Sequence, residues 1–561
     1  MTKNILAFLL ALILLRSSVL AIPTLESDTI LSKQQIENIY VLTKVWGFIK
    51  YHHPVVANGS INFDKSLLSL IEPLSAAPSK EKRNELLLGW INSLGNENEY
   101  ELTTAIPDEK NIHVKANLGW INDKNIFNEA VIAKLNSIYL HRNQGSNAYI
   151  KLTPLGNPDF SGEEKYMEME ADDGGMRMLA LLRYWNIIEY FFPSRYLIKE
   201  NWDDVLKEFI PLLAASKTML DYKLNCLKLI NRIHDTHATI ANDKDIDNYY
   251  GEKYTMTRAR MIDGKLIVTA FIDMEKAKDD VISLGDEILT IENKTIAVWR
   301  QEREPFLCAS NESVANLNFT RNLLRGNGEA ISITYNHNGE IKSGSLKLYL
   351  IEAMALAVKK ISGQPSSKFI NDSVGYITLA TIKKSDLPII FETFKNTKGI
   401  IIDIRNYPAE FVAYLLGNYI KPSSSPFAKI SVANINNPGL FTFHTILSTG
   451  SKNKNYYKGK VVVLVDERSM SQAEFTTMAI MSAPNAIVIG SQTAGADGDV
   501  SAIPFPGGFN SWISGLGVFY PDGKETQRIG IVPDIEVRPT QVGAKKGIDE
   551  LFESAMKYII K

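Results

Sequence analysis

The sequence predicts an α/β protein with helical and β-rich additions, and three observations carry that prediction. The first is alternation. Between about 349 and 540, short apolar runs at 374–379, 400–404, 461–465 and 486–489 are separated by stretches with helical spacing. The run at 461–465 contains no polar residue, the pattern of a strand covered on both faces. The second is a repeat: Val45-Trp46-Gly47-Phe48-Ile49-Lys50-Tyr51-His52-His53-Pro54 recurs as Tyr184-Trp185-Asn186-Ile187-Ile188-Glu189-Tyr190-Phe191-Phe192-Pro193. Asn62-Phe63-Asp64 recurs as Asn201-Trp202-Asp203 at the same offset of 139 residues, so two copies of one helical unit are expected. The third is a strand-rich stretch, with Leu266-Ile267-Val268-Thr269-Ala270-Phe271 followed by Leu284-Gly285-Asp286-Glu287-Ile288-Leu289-Thr290-Ile291 and the turn residues Asn293-Lys294.

In chain order, residues 1–21 carry Lys3, an apolar run at 5–15 and the small-residue exit Val19-Leu20-Ala21, which reads as a secretory signal cleaved after Ala21. Arg16 interrupts the apolar run and argues against a retained membrane anchor. Ile22 stands where a bacterial lipoprotein would have cysteine. Residues 22–150 hold the first helical repeat and a mixed segment ending in the polar loop Asn143-Gln144-Gly145-Ser146-Asn147. Residues 151–245 hold the second repeat, 246–348 the β module and 349–561 the α/β core with a closing helix at 548–560. The repeated aromatics read as core. With 561 residues, 45% of them hydrophobic, the chain can bury more than one core. A net charge of -2 gives no footprint for nucleic acid. Cys226 and Cys308 fall in different expected domains, and sequence alone argues no disulfide between them.

Ser471 is the first candidate for chemistry. Asp466-Glu467-Arg468 closes the strand at 461–465, and Phe475, Met478 and Ala479 then recur at helical spacing, which leaves Ser471 near the first helical turn. A hydroxyl placed there faces a reacting carbonyl while the free amides of the turn face a developing oxyanion. The competing reading is that Ser469 and Ser471 only cap the helix.

Three ordered stretches resemble the C-terminal processing and tricorn-like serine peptidases of family S41. They are Ser469-Met470-Ser471-Gln472-Ala473-Glu474 with the later Thr493-Ala494-Gly495, the strand Gly399-Ile400-Ile401-Ile402-Asp403-Ile404-Arg405, and Gly530-Ile531-Val532-Pro533-Asp534-Ile535. The resemblance implies a crotonase-like (ClpP-like) peptidase core, makes Ser471 the nucleophile, and identifies the Leu-Gly-Asp segment at 284–286 as part of a PDZ-like module. In such a module extended peptide adds to a strand edge. The processing branch of the family places a lysine directly after Thr-x-Gly. Here that position is Ala496, so the base has to come from elsewhere.

The tricorn-like branch supplies a histidine, and Ile233-His234-Asp235-Thr236-His237-Ala238-Thr239 is similar to its Asp-x-His element, with His237 at the catalytic place. Imidazole titrates near neutrality and so accepts the serine proton and returns it to the leaving amine. By the same resemblance Thr236 is an auxiliary hydroxyl and the place of the branch's glutamate is held by Gln527; Glu525, two residues earlier and on the same face if this segment is a strand, is the candidate for that role. The His-x-x-His pair by itself could suggest zinc, but no third ligand cluster with suitable spacing accompanies it, so no metal or other cofactor is expected. The repeat offset places Asn98 opposite His237, and His52 and His53 belong to a copy read as structural. The family's paired glycines after Asp-Leu-Arg are replaced by Asn406-Tyr407-Pro408-Ala409-Glu410, leaving the Ala409 and Gln472 amides as the expected oxyanion hole.

The resulting expectation is a secreted or periplasmic serine endopeptidase acting on peptide or unfolded protein, with no nucleic acid and no stable membrane insertion after signal cleavage. The alternatives are a peptide-binding envelope protein that kept the fold and lost catalysis, and a glycan- or small-ligand-binding envelope protein using the aromatic repeats.

Overall fold

The computed structural model describes residues 30–97, 107–355 and 364–561; the expected signal segment and Asn98 lie outside them. The N-terminal half is built on two helices, Lys33–His52 and Gly174–Phe191, buried along almost their whole lengths. A helix apolar on all sides must be central, and each is covered by later helices. Helices Phe63–Ser75 and Lys80–Asn92 follow the first, and Trp202–Ala214 and Met219–Asn231 follow the second. The Asn-aromatic-Asp element is a helix start in both places: the Asn62 side chain accepts from Lys65 N–H and that of Asn201 from Asp203 N–H. The tryptophan one helix earlier stacks on the aromatic after the cap, Trp46 on Phe63 at 5.8 Å and Trp185 on Trp202 at 6.4 Å. The central helices touch where Gly47 meets Asn186. A Cβ at Gly47 would lie 1.8 Å from Asn186 Oδ1, and the room it leaves lets Asn186 Nδ2 donate to Thr43 and Leu182 carbonyls, both at 2.9 Å.

A buried ion network ties these layers together. Lys50 lies 2.8 Å from Glu163, and Arg183 lies 2.7 Å from Asp64 and 2.9 Å from Glu163. Arg183 also donates to the carbonyl of Pro504, at the end of the hairpin Val500–Pro504/Asn510–Ser514. Ile503, Phe505, Phe509 and Ile513 from this hairpin bury themselves in the helical core. A late segment of the chain is therefore packed inside the early one.

The β module is a sheet in which Thr257–Ile262, Lys265–Phe271, Glu287–Ile291, Ala330–His337, Glu340–Tyr349 and Lys253–Thr255 run side by side in that order. Thr257–Ile262 is an edge strand and packs against helix Glu312–Leu323. The last unit is a six-stranded sheet in the order Ser367–Asn371, Val374–Thr378, Gly399–Asp403, Lys460–Val465, Ala486–Gly490, Ile535–Glu536. Its first pairing is antiparallel and the rest are parallel. Parallel strands covered on both faces need apolar side chains on both. Accordingly Ile400, Ile402, Val461 and Val463 face one core, while Ile401, Val462 and Leu464 face another that is closed by helix Glu550–Ile560. Among the described residues no helix is long and apolar enough to cross a membrane. Cys226 and Cys308 are buried free thiols.

Candidate active site

Strand Lys460–Val465 ends, turns, and gives way to helix Gln472–Met481, and the two serines in the turn do different work. Ser469 is fully buried. Its hydroxyl donates to the Ile404 carbonyl at 3.0 Å and accepts from Asp466 N–H at 3.2 Å, which ties this turn to the neighbouring strand's end. Ser471 is partly exposed and holds φ 55° and ψ -119°, a conformation that costs a non-glycine residue energy and persists only where its surroundings impose it. The imposing group is Glu474. Its buried carboxylate accepts from Ser471 N–H at 3.1 Å, Thr493 Oγ1 at 2.5 Å, Gly495 N–H at 2.8 Å and Ala496 N–H at 3.1 Å. Burial raises the Glu474 pKa, and these four donors oppose the rise. Ser471 N–H also reaches the Ala496 carbonyl at 3.0 Å. Gly495 makes the clamp possible, because its φ of +65° and its approach to the Arg528 backbone leave no room for a Cβ.

His237 sits on a loop docked against the same segment. Thr236 Oγ1 donates to the Ala494 carbonyl at 3.2 Å and exchanges hydrogen bonds with Ser310, so it anchors the loop and makes no hydrogen bond to the imidazole. The expected orienting role of Thr236 is filled instead by Ser514 and Asp235. His237 Nδ1 lies 2.9 Å from Ser514 Oγ, and Ser514 Oγ lies 3.0 Å from Asp235 Oδ1. Asp235 also accepts from Ser514 N–H at 2.6 Å and His237 N–H at 3.0 Å, and it is completely buried. A carboxylate only accepts, so the single Ser514 hydroxyl proton is committed to Asp235. Ser514 Oγ must then accept from His237, which puts the proton on Nδ1 and leaves Nε2 with a free lone pair. Burial lowers the His237 pKa below its usual value, with Asp235 and Asp499 opposing it.

Two other expected members are placed elsewhere. The Ala409 N–H donates to the Leu379 carbonyl at 2.9 Å, which removes it as a free oxyanion donor. Glu525 pairs with Phe519 across a β-bridge and accepts from the Tyr196 hydroxyl, and it makes no hydrogen bond to the imidazole. Gln527 is buried, with its side-chain nitrogen unpartnered. Gln472 follows Ser471 at the first position of the helix, where its backbone amide is one of the donors a helix start leaves over. No hydrogen bond joins Ser471 to His237 among the described residues, and no cluster of three metal-ligating side chains occurs among them.

Asp235 and Ser514 had no sequence signal as partners, being 279 residues apart. Asp235 alone was visible, as the first residue of Asp-x-His. His52 and His53 are buried in the helical core, where burial takes their pKa values down to about 3 and about 4.

In this chain, residues 373–537 match peptidase family S41. Among solved structures the chain is similar to mature CPAF, with a TM-score of 0.52 at 12% identity over 69% of this chain and 96% of that one. Mature CPAF complexed with lactacystin gives 0.51 at 12%, covering 68% and 97%. The photosystem II D1 C-terminal processing protease gives 0.41 at 14%, covering 67% and 98%. At these identities the likeness is one of fold. No curated protein matches the chain.

Proposed function

We propose that this chain is a secreted or periplasmic serine endopeptidase acting on peptides or unfolded proteins. The observation that carries the reading is the hydrogen-bond chain from His237 Nδ1 through Ser514 Oγ to Asp235: with the Ser514 proton given to Asp235, the imidazole proton belongs on Nδ1 and Nε2 is the base that serine requires. Ser471 Oγ would attack the scissile carbonyl as His237 Nε2 takes its proton. The imidazolium would be stabilised through Nδ1–H, Ser514 and the buried Asp235. The Gln472 amide, at the positive end of its helix, would hold the oxyanion. Collapse of the tetrahedral intermediate would transfer the proton from Nε2 to the leaving amine, and a water activated by the same nitrogen would release the acyl group. Substrate binding would complete the contact between Ser471 and His237, since catalytic hydrogen bonds commonly tighten only in the substrate complex. Export rests on the charged, apolar and small-residue order of residues 1–21.

The test is cleavage of an unfolded protein by the wild type, Ser471→Ala and Ser469→Ala. Ser471→Ala should lose about 10⁴-fold or more of the activity while folding normally. Ser469→Ala should retain turnover and lose about 1 kcal/mol of stability with its two hydrogen bonds. Undiminished cleavage by Ser471→Ala would reject the nucleophile. A wild type that binds the unfolded protein and never cuts it would favour the inactive peptide-binding alternative.

A further inference from the structure

Between the β module and the peptidase sheet lies a groove of about 760 Å³. Its charged lining consists of six arginines, 258, 260, 321, 325, 405 and 468, against three acids, Asp466, Asp549 and Glu550. In a chain whose net charge is -2, that is a local concentration of positive charge.

Four of the six arginines are already paired. Arg260 and Arg468 share Asp466, at 2.8 and 2.7 Å. Arg405 bridges Asp403 and Asp549, and Arg325 pairs with Asp247. Arg258 and Arg321 have neither an ion pair nor a side-chain hydrogen bond among the described residues, and both side chains are exposed where they line the groove. Both line the same cavity as Arg260 and Arg468, so like charges gather there. Unpaired guanidiniums facing one cavity favour an anionic occupant.

The groove has the form of a peptide track. Arg258 lies on Thr257–Ile262, the terminal strand of its sheet, whose outer side has no strand partner among the described residues. Arg321 lies on helix Glu312–Leu323 opposite, and Phe271, Ile272 and Leu317 supply apolar surface between the charges. A second cavity of about 430 Å³ shares Arg321, Arg325 and Arg468 with the first and extends to Thr236 and Met470, the chain neighbours of His237 and Ser471. The two cavities together thus run from the arginines to the chain neighbours of the candidate nucleophile and base.

We propose that Arg258 and Arg321 read acidic side chains, so that the groove selects Asp- and Glu-bearing extended segments and feeds them to Ser471. This rests on the peptidase reading for its catalytic half alone, and binding can be measured without catalysis. The probe is a short labelled peptide in an acidic version and a version with every acid replaced by its amide, each with a free and an amidated C-terminus. Anisotropy is read with the Ser471→Ala protein. The acidic peptide should bind about tenfold or more tightly than its amide version, with amidation of the C-terminus making no difference. Arg258→Gln and Arg321→Gln should each weaken the acidic peptide about tenfold and leave the amide version nearly unchanged. Arg321→Lys, which keeps the charge, should lose less, and Lys82→Gln on the far helical surface should lose nothing. Circular dichroism confirms that each variant is folded. Equal binding of the two versions, a preference that disappears on C-terminal amidation, or a preference that survives in the Arg258→Gln/Arg321→Gln protein would overturn the proposal. Charge-selective binding in a wild type that never cleaves would instead reject the peptidase reading and leave this one standing.

Discussion

Replacing Asp235 by asparagine tests the proposed base more sharply than removing the histidine, because it changes proton positions and hardly changes shape. The carboxylate accepts three hydrogen bonds, two from Ser514 and one from His237 N–H. Asparagine can present one oxygen and one NH₂. With NH₂ in place of Oδ1 it meets the His237 N–H and donates to Ser514 Oγ. The Ser514 proton then turns toward His237 Nδ1, the imidazole proton moves to Nε2, and the base is blocked. With NH₂ in place of Oδ2 it meets Ser514 N–H head to head. Either arrangement leaves a buried donor unsatisfied, a cost of about 1–3 kcal/mol in stability. The first also installs the wrong tautomer, which in serine peptidases lowers turnover by about 10⁴-fold. We expect kcat/KM on a quenched fluorescent peptide to fall about 10³- to 10⁴-fold in Asp235→Asn. In the wild type, kcat/KM should rise with pH through a value below 6.5, because burial favours the neutral imidazole, and be level by about pH 7. Nitrogen NMR of His237 should find the proton on Nδ1 in the wild type. Asp235→Asn activity within about threefold of wild type, or a wild-type proton on Nε2, would refute the reasoning.

Glu474→Gln should cost about 2–3 kcal/mol in urea unfolding, since an NH₂ group would face donors already aimed at the carboxylate, and turnover should drop more than about 100-fold as Ser471 relaxes from its strained conformation. His53 is buried, and burial takes its pKa from 6.5 to about 4. The unfolded chain therefore binds a proton that the folded one refuses, so stability is full above about pH 6.5 and is lost as pH falls toward about 4. Unfolding measured at about pH 7.5 and pH 5 should show His53→Phe escaping roughly 2 kcal/mol of the wild type's acid loss; identical acid losses in the two proteins would exclude His53 as the source.

Local grammar made some of this site legible. A strand, a tight turn and a helix in succession mark where Ser471 sits, and the apolar runs at 400–404 and 461–465 become neighbouring parallel strands. Choosing Ser471 over Ser469 on physical grounds needed the structure, because only there is the Ser469 hydroxyl seen spent between Ile404 and Asp466. Ala409 misled because a backbone amide looks alike in any sequence, and its commitment to Leu379 is a tertiary fact. Glu525 misled because strand parity assigns a face without saying what that face meets, here Tyr196. The Ser514 hydroxyl that orients His237 comes from a hairpin packed into the helical core, and no spacing rule connects them.

The buried charges of Lys50, Asp64, Glu163 and Arg183 have a consequence for when the molecule can act. Arg183 holds the backbone at Pro504, and that hairpin ends in Ser514, so the base is oriented only after a segment from the final quarter of the chain has packed into a core made from the first half. His237 leaves the ribosome long before Ser471 and Ser514 do. In a nascent chain these side chains are accordingly apart, and they come together only when the hairpin docks.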